Sequence, residues 1–210
     1  MFNQRLLPAI LEQSALSVKR KLEQLAALSD SVQLDFMDGT LTDSKTLDLD
    51  ELLRLATNFK IEVHLMVAKP SQYFLTLATG KVKACVIHQE SYDDQSDLIK
   101  DCQALKALGI SPSISCWPDA EPETVAEAKS YQIMGVVPGQ VGQTIIGNTR
   151  TRALNLKQRV RRGVMISLDG GVTSAVVSDL ADVVDRFIVN SWLYLKEPEI
   201  QWRLLEQALK

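Results

Sequence analysis

Gln33-Leu34-Asp35-Phe36-Met37-Asp38-Gly39 is a short apolar strand that ends on a carboxylate and then a glycine. Ile166-Ser167-Leu168-Asp169-Gly170-Gly171 repeats the pattern near the other end of the chain. In parallel α/β proteins such strand ends are where ligands sit. Side chains alternate along a strand, so Gln33, Asp35 and Met37 share one face while Leu34 and Phe36 share the other. The apolar pair faces a helix layer, which leaves Asp35 pointing inward. The same rule groups Glu62, His64 and Met66, and also Met165, Ser167 and Asp169.

Outward from these two stretches, strand and helix patterns alternate along the whole chain. Leu6–Leu11 reads as the first strand, followed by a helix over 14–28 with Val18, Leu22 and Leu25 on its apolar face and Lys19, Arg20, Lys21 and Glu23 opposite. Further strands are expected at 32–37, 61–67, 84–88, 113–117, 133–137, 164–168 and 187–189. Helical spacing follows each: Leu49, Leu52, Leu53 and Ala56; a short helix over 72–78; Leu98, Cys102 and Leu105 ending at Gly109; Pro122 to Ser130; Ala153, Leu156 and Val160; Ser174 to Leu180; and Ile200, Leu204 and Ala208. Eight βα units without a linker predict one domain over residues 1–210, a single (β/α)8 TIM barrel. A doubly wound open sheet would use the same alternation, but its G-x-G-x-x-G fingerprint is missing after the first strand, where Leu11-Glu12-Gln13 stands.

Composition narrows the partners. At 210 residues and 46% hydrophobic, the chain can bury a full core. A net charge of −3 carries no basic footprint, which argues against nucleic acid. The densest basic run, Arg159, Arg161 and Arg162, reads as the solvated end of a helix. Cys85, Cys102 and Cys116 lack metal-type spacing, and an odd, low count suits reduced thiols in the cytoplasm. No apolar run approaches the ~20 residues that span a bilayer. The start, Met1-Phe2-Asn3-Gln4-Arg5, does not read as a signal peptide.

In such a barrel, Asp35 and Asp169 would flank one substrate from opposite sides of the mouth. One carboxylate can remove a proton from carbon beside a carbonyl and the other can return a proton to the far face. The enediolate between them needs its charge stabilised, commonly by a metal ion or oriented dipoles. His64, on the strand next to Asp35, is a third candidate ligand. Each aspartate alone reads equally well as a helix cap. Pro138-Gly139-Gln140-Val141-Gly142-Gln143-Thr144 and Gly170-Gly171 are candidate phosphate loops, with Asn190-Ser191 completing the cup.

These segments, with Leu7-Pro8-Ala9-Ile10-Leu11, Val63-His64-Leu65-Met66-Val67 and Ile87-His88-Gln89-Glu90, resemble the ribulose-phosphate 3-epimerase family nearly end to end. The resemblance implies a metal-dependent barrel that inverts C3 of a ketose 5-phosphate in the cytoplasm. By it, Asp35 and Asp169 are the proton carriers and metal ligands, and His64 is a third ligand. The substrate would be bound by His64, Gly139, Val141, Gly142, Gly170, Gly171, Asn190 and Ser191. Met37, Met66 and Met134 match the family's inward methionines, although each reads equally as adaptable core filler. The family's oligomers leave a homo-oligomer open.

The departures lie around the pocket. Gln33 stands where the family has its first metal ligand, a histidine, so Gln33 is a doubtful fourth ligand. A neutral amide oxygen suits zinc less than a harder cation, and the divalent metal is left open among zinc, iron, manganese, cobalt and magnesium. Ala9 replaces a serine, Val141 a glycine, Gln140 an aromatic, and Asn190 a glycine. An epimerase with altered metal dependence or sugar preference is the leading reading. A sugar-phosphate-binding barrel that has lost turnover is the alternative. A third, a lyase or decarboxylase of related phosphate-binding barrels, lacks the lysine of Asp-x-Lys-x-x-Asp at Asp35-Phe36-Met37-Asp38.

Overall fold

The structure, a computed structural model, describes residues 5–139 and 142–210. Eight parallel strands pair in chain order and close, forming a single (β/α)8 barrel. They are β1 (Leu6–Ile10), β2 (Ser31–Phe36), β3 (Lys60–Leu65), β4 (Ala84–His88), β5 (Ser111–Cys116), β6 (Ser130–Met134), β7 (Met165–Asp169) and β8 (Arg186–Val189). The helices are α1 (Ala15–Leu25), α2 (Leu49–Leu55), α3 (Phe74–Thr79), α4 (Gln95–Ala107), α5 (Thr149–Arg159), α6 (Ser174–Leu180) and α7 (Pro198–Ala208). None of these helices is long and apolar enough to cross a membrane.

Two periodicities explain the layers. On the strands, Leu34, Phe36, Ile61, Val63, Leu65 and Ile87 join the main apolar core, which lies between barrel and helices. The alternate positions face inward and are mostly polar: Gln33, Asp35, Glu62, His64, Gln132, Ser167, Asp169 and Arg186 are all buried. On the helices, Val18, Leu22 and Leu25 of α1 recur at helical spacing, and the Ser14 hydroxyl caps that helix by accepting the Ser17 N–H at 3.2 Å. Thr173 and Asp94 cap α6 and α4 in the same way. Cys85, Cys102 and Cys116 are free and buried.

The sequence misplaces one helix. Residues 122–130 form no helix, and Ser130 is already the first residue of β6. Side chains supply this strap with the partners a helix would have found within itself. On either side of it, Arg152 donates to Met134 O at 2.8 Å and to Trp117 O and Ala120 O at 3.0 Å each. Arg159 donates to Pro122 O and Arg161 to Ala126 O. The Tyr131 hydroxyl accepts from Val125 N–H and donates to Val125 O. The run at Arg159 and Arg161 is therefore a clasp on the strap rather than a merely solvated helix end.

Two helix faces also differ from expectation. Lys21 is not on an exposed face of α1; it is only 9% exposed. On α7 the buried positions are Gln201, Trp202 and Leu205, while Ile200 and Leu204 are 52% and 41% exposed. Trp202 offers more apolar area than either aliphatic residue, and the Gln201 amide donates to Trp192 O at 2.9 Å, so the helix is turned one residue from the expected face.

Candidate active site

The barrel register builds the site. Asp35 on β2 lies opposite His64 on β3, and Asp169 ends β7 beside Met134. β2 and β7 are separated by β1 and β8, yet their carboxylates converge on one amide. Gln33 Nε2 donates to Asp35 Oδ1 and to Asp169 Oδ2, each at 2.8 Å. His64 Nδ1 lies 3.5 Å from Asp35 Oδ1 and 3.4 Å from Asp169 Oδ2. Gln132 Nε2 donates to Asp169 Oδ2 at 2.8 Å and lies 3.2 Å from His64 Nδ1. All of these groups are buried.

The charges are crowded. Burial pushes the Asp35 carboxyl above the usual aspartate range; the hydrogen bond from His64 opposes that rise and the charge of Asp169 adds to it. Burial alone would lower His64, but hydrogen bonds to Asp169 and Asp35 outweigh it and raise its pKa to about 9. Burial lowers His88, while Glu90 and His64 pull it in opposite directions.

One cavity at the barrel mouth collects most of the residues singled out from the sequence. Asp35, His64 and Asp169 form its floor with Met66 and Met134. Gly139, Gly142, Gly170, Gly171, Asn190 and Ser191 line its rim. Gln33 sits beneath the carboxylates, and Ala9 pairs with it across the β1–β2 register, with no hydroxyl to offer. Met37 is buried but does not line the cavity. Val141 and Gln140 lie outside the described residues, as do Met1 to Gln4.

The rim glycines have a packing reason as well. Gly170 and Gly171 have φ of +92° and +68°. A Cβ on Gly171 would stand 2.7 Å from Ile145 N, and one on Gly170 would collide with Val136. Ser44, from the β2–α2 loop, fixes the path of the neighbouring loop by donating to Gly139 O at 2.8 Å.

Several residues near the site carried no assigned role in the sequence reading. Gln132 lies two positions before Met134 on β6, but the sequence places the sixth strand at 133–137 whereas it spans Ser130–Met134, which is why Gln132 is not singled out. Lys21 Nζ is 2.8 Å from Glu12 Oε1, 3.5 Å from Asn190 Oδ1 and 4.1 Å from the Tyr194 ring centroid, a cation next to the rim. No local pattern distinguishes it from the charged neighbours Lys19 and Arg20. His88 and Glu90 stand behind His64 and are taken up below.

The donor set fits a divalent cation. Asp35, His64 and Asp169 offer ligand atoms within 4.8 Å of one another. Gln33 Oε1 is buried without a hydrogen-bond partner, and turning that amide over would aim the oxygen between the carboxylates. Two carboxylates, an imidazole and a carboxamide oxygen make a mixed, oxygen-rich set.

The family model for the ribulose-phosphate 3 epimerase family matches residues 5–194. The chain belongs to the ribulose-phosphate 3-epimerase family. Among curated members, it is 28% identical over 195 residues to the ribulose-phosphate 3-epimerase of Treponema pallidum (strain Nichols), covering 88% of each chain. It is 26% identical over 199 residues to that of Mycobacterium tuberculosis (strain ATCC 25618 / H37Rv), covering 89% of this chain and 84% of the relative. Among solved structures, 3-hexulose-6-phosphate synthase from Salmonella typhimurium superposes with a TM-score of 0.69 at 16% identity, covering 98% of both chains. That likeness concerns the fold. Membership in the ribulose-phosphate 3-epimerase family makes this an isomerase-class, sugar-phosphate epimerase-type chain, with a phosphorylated sugar as the implied substrate class.

Proposed function

We propose that the chain inverts C3 of a ketose 5-phosphate of the ribulose/xylulose type by two-base proton transfer between Asp35 and Asp169. The observation that carries this reading is the convergence of two buried carboxylates and one imidazole on a single cavity at the barrel mouth. One carboxylate, ionised, takes the proton from C3; the C–H electron pair moves into the adjacent carbonyl and gives an enediolate. The other, protonated, returns a proton to the opposite face. The two residues exchange roles when the reaction runs backward. Asp35's raised pKa favours this work, because a carboxylate that holds a proton more firmly is a stronger base.

Asp35, His64 and Asp169, with Gln33 as a weak fourth donor, are the residues that would hold a divalent cation. Such a cation supplies positive charge for the enediolate. The rim residues Gly139, Gly142, Gly170, Gly171, Asn190 and Ser191 would hold the phosphate, largely through backbone N–H groups, with Lys21 nearby as a cation. Met66 and Met134 exclude water from the reacting carbons.

The test is turnover of D-ribulose 5-phosphate in D2O, with Mn2+ or Co2+ added. The expected result is formation of the C3 epimer with deuterium at C3. Epimer without deuterium would exclude the proton-transfer mechanism. The second reading, a barrel that binds the sugar phosphate without converting it, is favoured by the Gln33 amide lying between the carboxylates. It predicts saturable binding with neither epimer nor exchange.

A further inference from the structure

The cluster just described has a second histidine behind it. The chain contains only two, His64 and His88. His88 ends β4 and is fully buried. Its Nε2 lies 2.8 Å from His64 Nε2. The rings are within 11° of parallel, and their centroids are 5.0 Å apart, well beyond the nitrogen separation. The nitrogens therefore meet edge to edge, as an N–H and a lone pair must. Beyond it, His88 Nδ1 lies 3.3 Å from Glu90 Oε2, while Glu90 Oε1 accepts the Trp117 N–H at 2.8 Å.

Directions along this row follow from what each group can do. Glu90, which its partners hold below the usual glutamate range despite burial, is ionised and only accepts. His88 Nδ1 must then carry the proton it donates. Two ring nitrogens 2.8 Å apart hold one proton between them; with the His88 proton engaged at Nδ1, its Nε2 presents a lone pair and that single proton lies on His64 Nε2. Whether His64 is neutral or charged, that proton stays where it is. The nitrogen that gains or loses a proton is Nδ1, the one beside Asp35 and Asp169.

We propose that Glu90 and His88 are positioning residues that fix the proton of His64 on Nε2 and so aim its Nδ1 lone pair into the gap between Asp35 and Asp169. The inference rests on reading that gap as the reaction centre. A ring with the opposite tautomer would present an N–H there, unable to bind a cation and able only to donate. Orientation of a ligand imidazole by a partner on its other nitrogen is a general device; here the partner is another imidazole, oriented in turn by a carboxylate.

Glu90→Gln tests this directly. The Trp117 N–H still needs an acceptor, so it holds the amide oxygen and leaves the NH2 facing His88 Nδ1. His88 must then accept at Nδ1 and carry its proton on Nε2, which obliges His64 Nε2 to accept and moves the His64 proton to Nδ1. Long-range 1H–15N correlation spectra of the 15N-labelled, chelator-treated protein read the proton on each ring nitrogen. With two histidines, the spectrum holds two spin systems. The wild type is expected to show His88 as the Nδ1–H form with His64 protonated at Nε2, and Glu90→Gln to show His88 as the Nε2–H form. Wild-type His88 protonated at Nε2 overturns the proposal, as does an unchanged His88 in a folded Glu90→Gln. If that variant does not fold, the wild-type spectrum alone decides. As a second readout, Co2+ affinity should fall by about 10–100-fold in Glu90→Gln. Switched tautomers with unchanged Co2+ affinity would refute the aiming role. Failure of wild-type turnover would instead sink the proposed reaction and leave the tautomer result standing.

Discussion

The barrel interior carries two polar layers, one residue pair apart on the same strands. In the lower one, Arg186 Nη2 donates to Glu62 Oε1 at 2.7 Å and to Oε2 at 2.9 Å, with Ser167 Oγ at 3.4 Å. In the upper one, two carboxylates share one imidazole and two amides. Both are buried. A step of two residues, from Glu62 to His64 on β3 and from Ser167 to Asp169 on β7, separates them. The lower layer matches one cation to one anion, so its charge is settled internally. The upper layer has an excess of acid, and Asp35 resists ionisation there, mainly because it is buried and further because of the Asp169 charge. One layer is arranged to stay as it is; the other is arranged to receive something.

The largest effect should come from exchanging the roles of the layers by mutation. Asp35→Asn is expected to lower epimerase turnover by about 100- to 10,000-fold, the range for losing a positioned acid or base. Its thermal midpoint in metal-free buffer should stay level or rise, because it removes an ionised group that the fold disfavours. Glu62→Gln should do the reverse, costing about 3–5 kcal/mol of stability by leaving Arg186 without its carboxylate, with the deuterium-exchange activity of the remaining folded protein retained. Denaturant melts beside turnover assays separate the two. A stability loss in Asp35→Asn equal to that of Glu62→Gln would erase the distinction between the layers.

A smaller effect sharpens it. Gln33→His replaces the amide that bridges Asp35 and Asp169 with an imidazole, and should tighten Mn2+ or Zn2+ binding by about tenfold or more, read by calorimetry. Unchanged affinity would mean that the upper layer does not use position 33 for a cation.

The smallest is a matter of pH. His64 has a folded pKa of about 9, above the usual histidine value of about 6.5. Its stabilising contribution is therefore fully present below about pH 6.5 and is lost as pH rises through about 9. In chelator-treated protein, the gap in thermal midpoint between wild type and His64→Gln should narrow from pH 6 to pH 10. A gap that stays constant would mean that His64 does not carry the charge balancing the two aspartates.

The sequence was most legible where one periodicity governs a segment. The alternation in 32–37 and 164–169 placed Asp35 and Asp169 inside, and Ser174–Leu180 is a helix over the expected span. It was least legible where side chains from elsewhere decide. Residues 122–130 carry helical composition, but the guanidinium groups of Arg159 and Arg161 take carbonyls that a helix would have used. Lys21 looks like its neighbours in sequence, and only Glu12, Tyr194 and Asn190 around it explain its burial. Gln33 and His64, two inward partners of the aspartates, were legible by parity, but their bonding was not. Nothing in a one-dimensional pattern says that Gln33 bridges two carboxylates or that two histidines meet nitrogen to nitrogen.

The strap between β5 and β6 has a consequence for how the protein is made. Three of the side chains that hold it, Arg152, Arg159 and Arg161, lie downstream of it in the chain. Synthesis proceeds from the N-terminus, so a nascent chain that has just emerged through β6 can fasten this stretch through Gln89 and Tyr131 but not yet through the arginines. Until α5 and the residues just after it have left the ribosome, the carbonyls of Pro122 and Ala126 lack these arginine donors. The other βα crossovers bring helices that satisfy their own backbone, whereas this one waits for arginines translated after it.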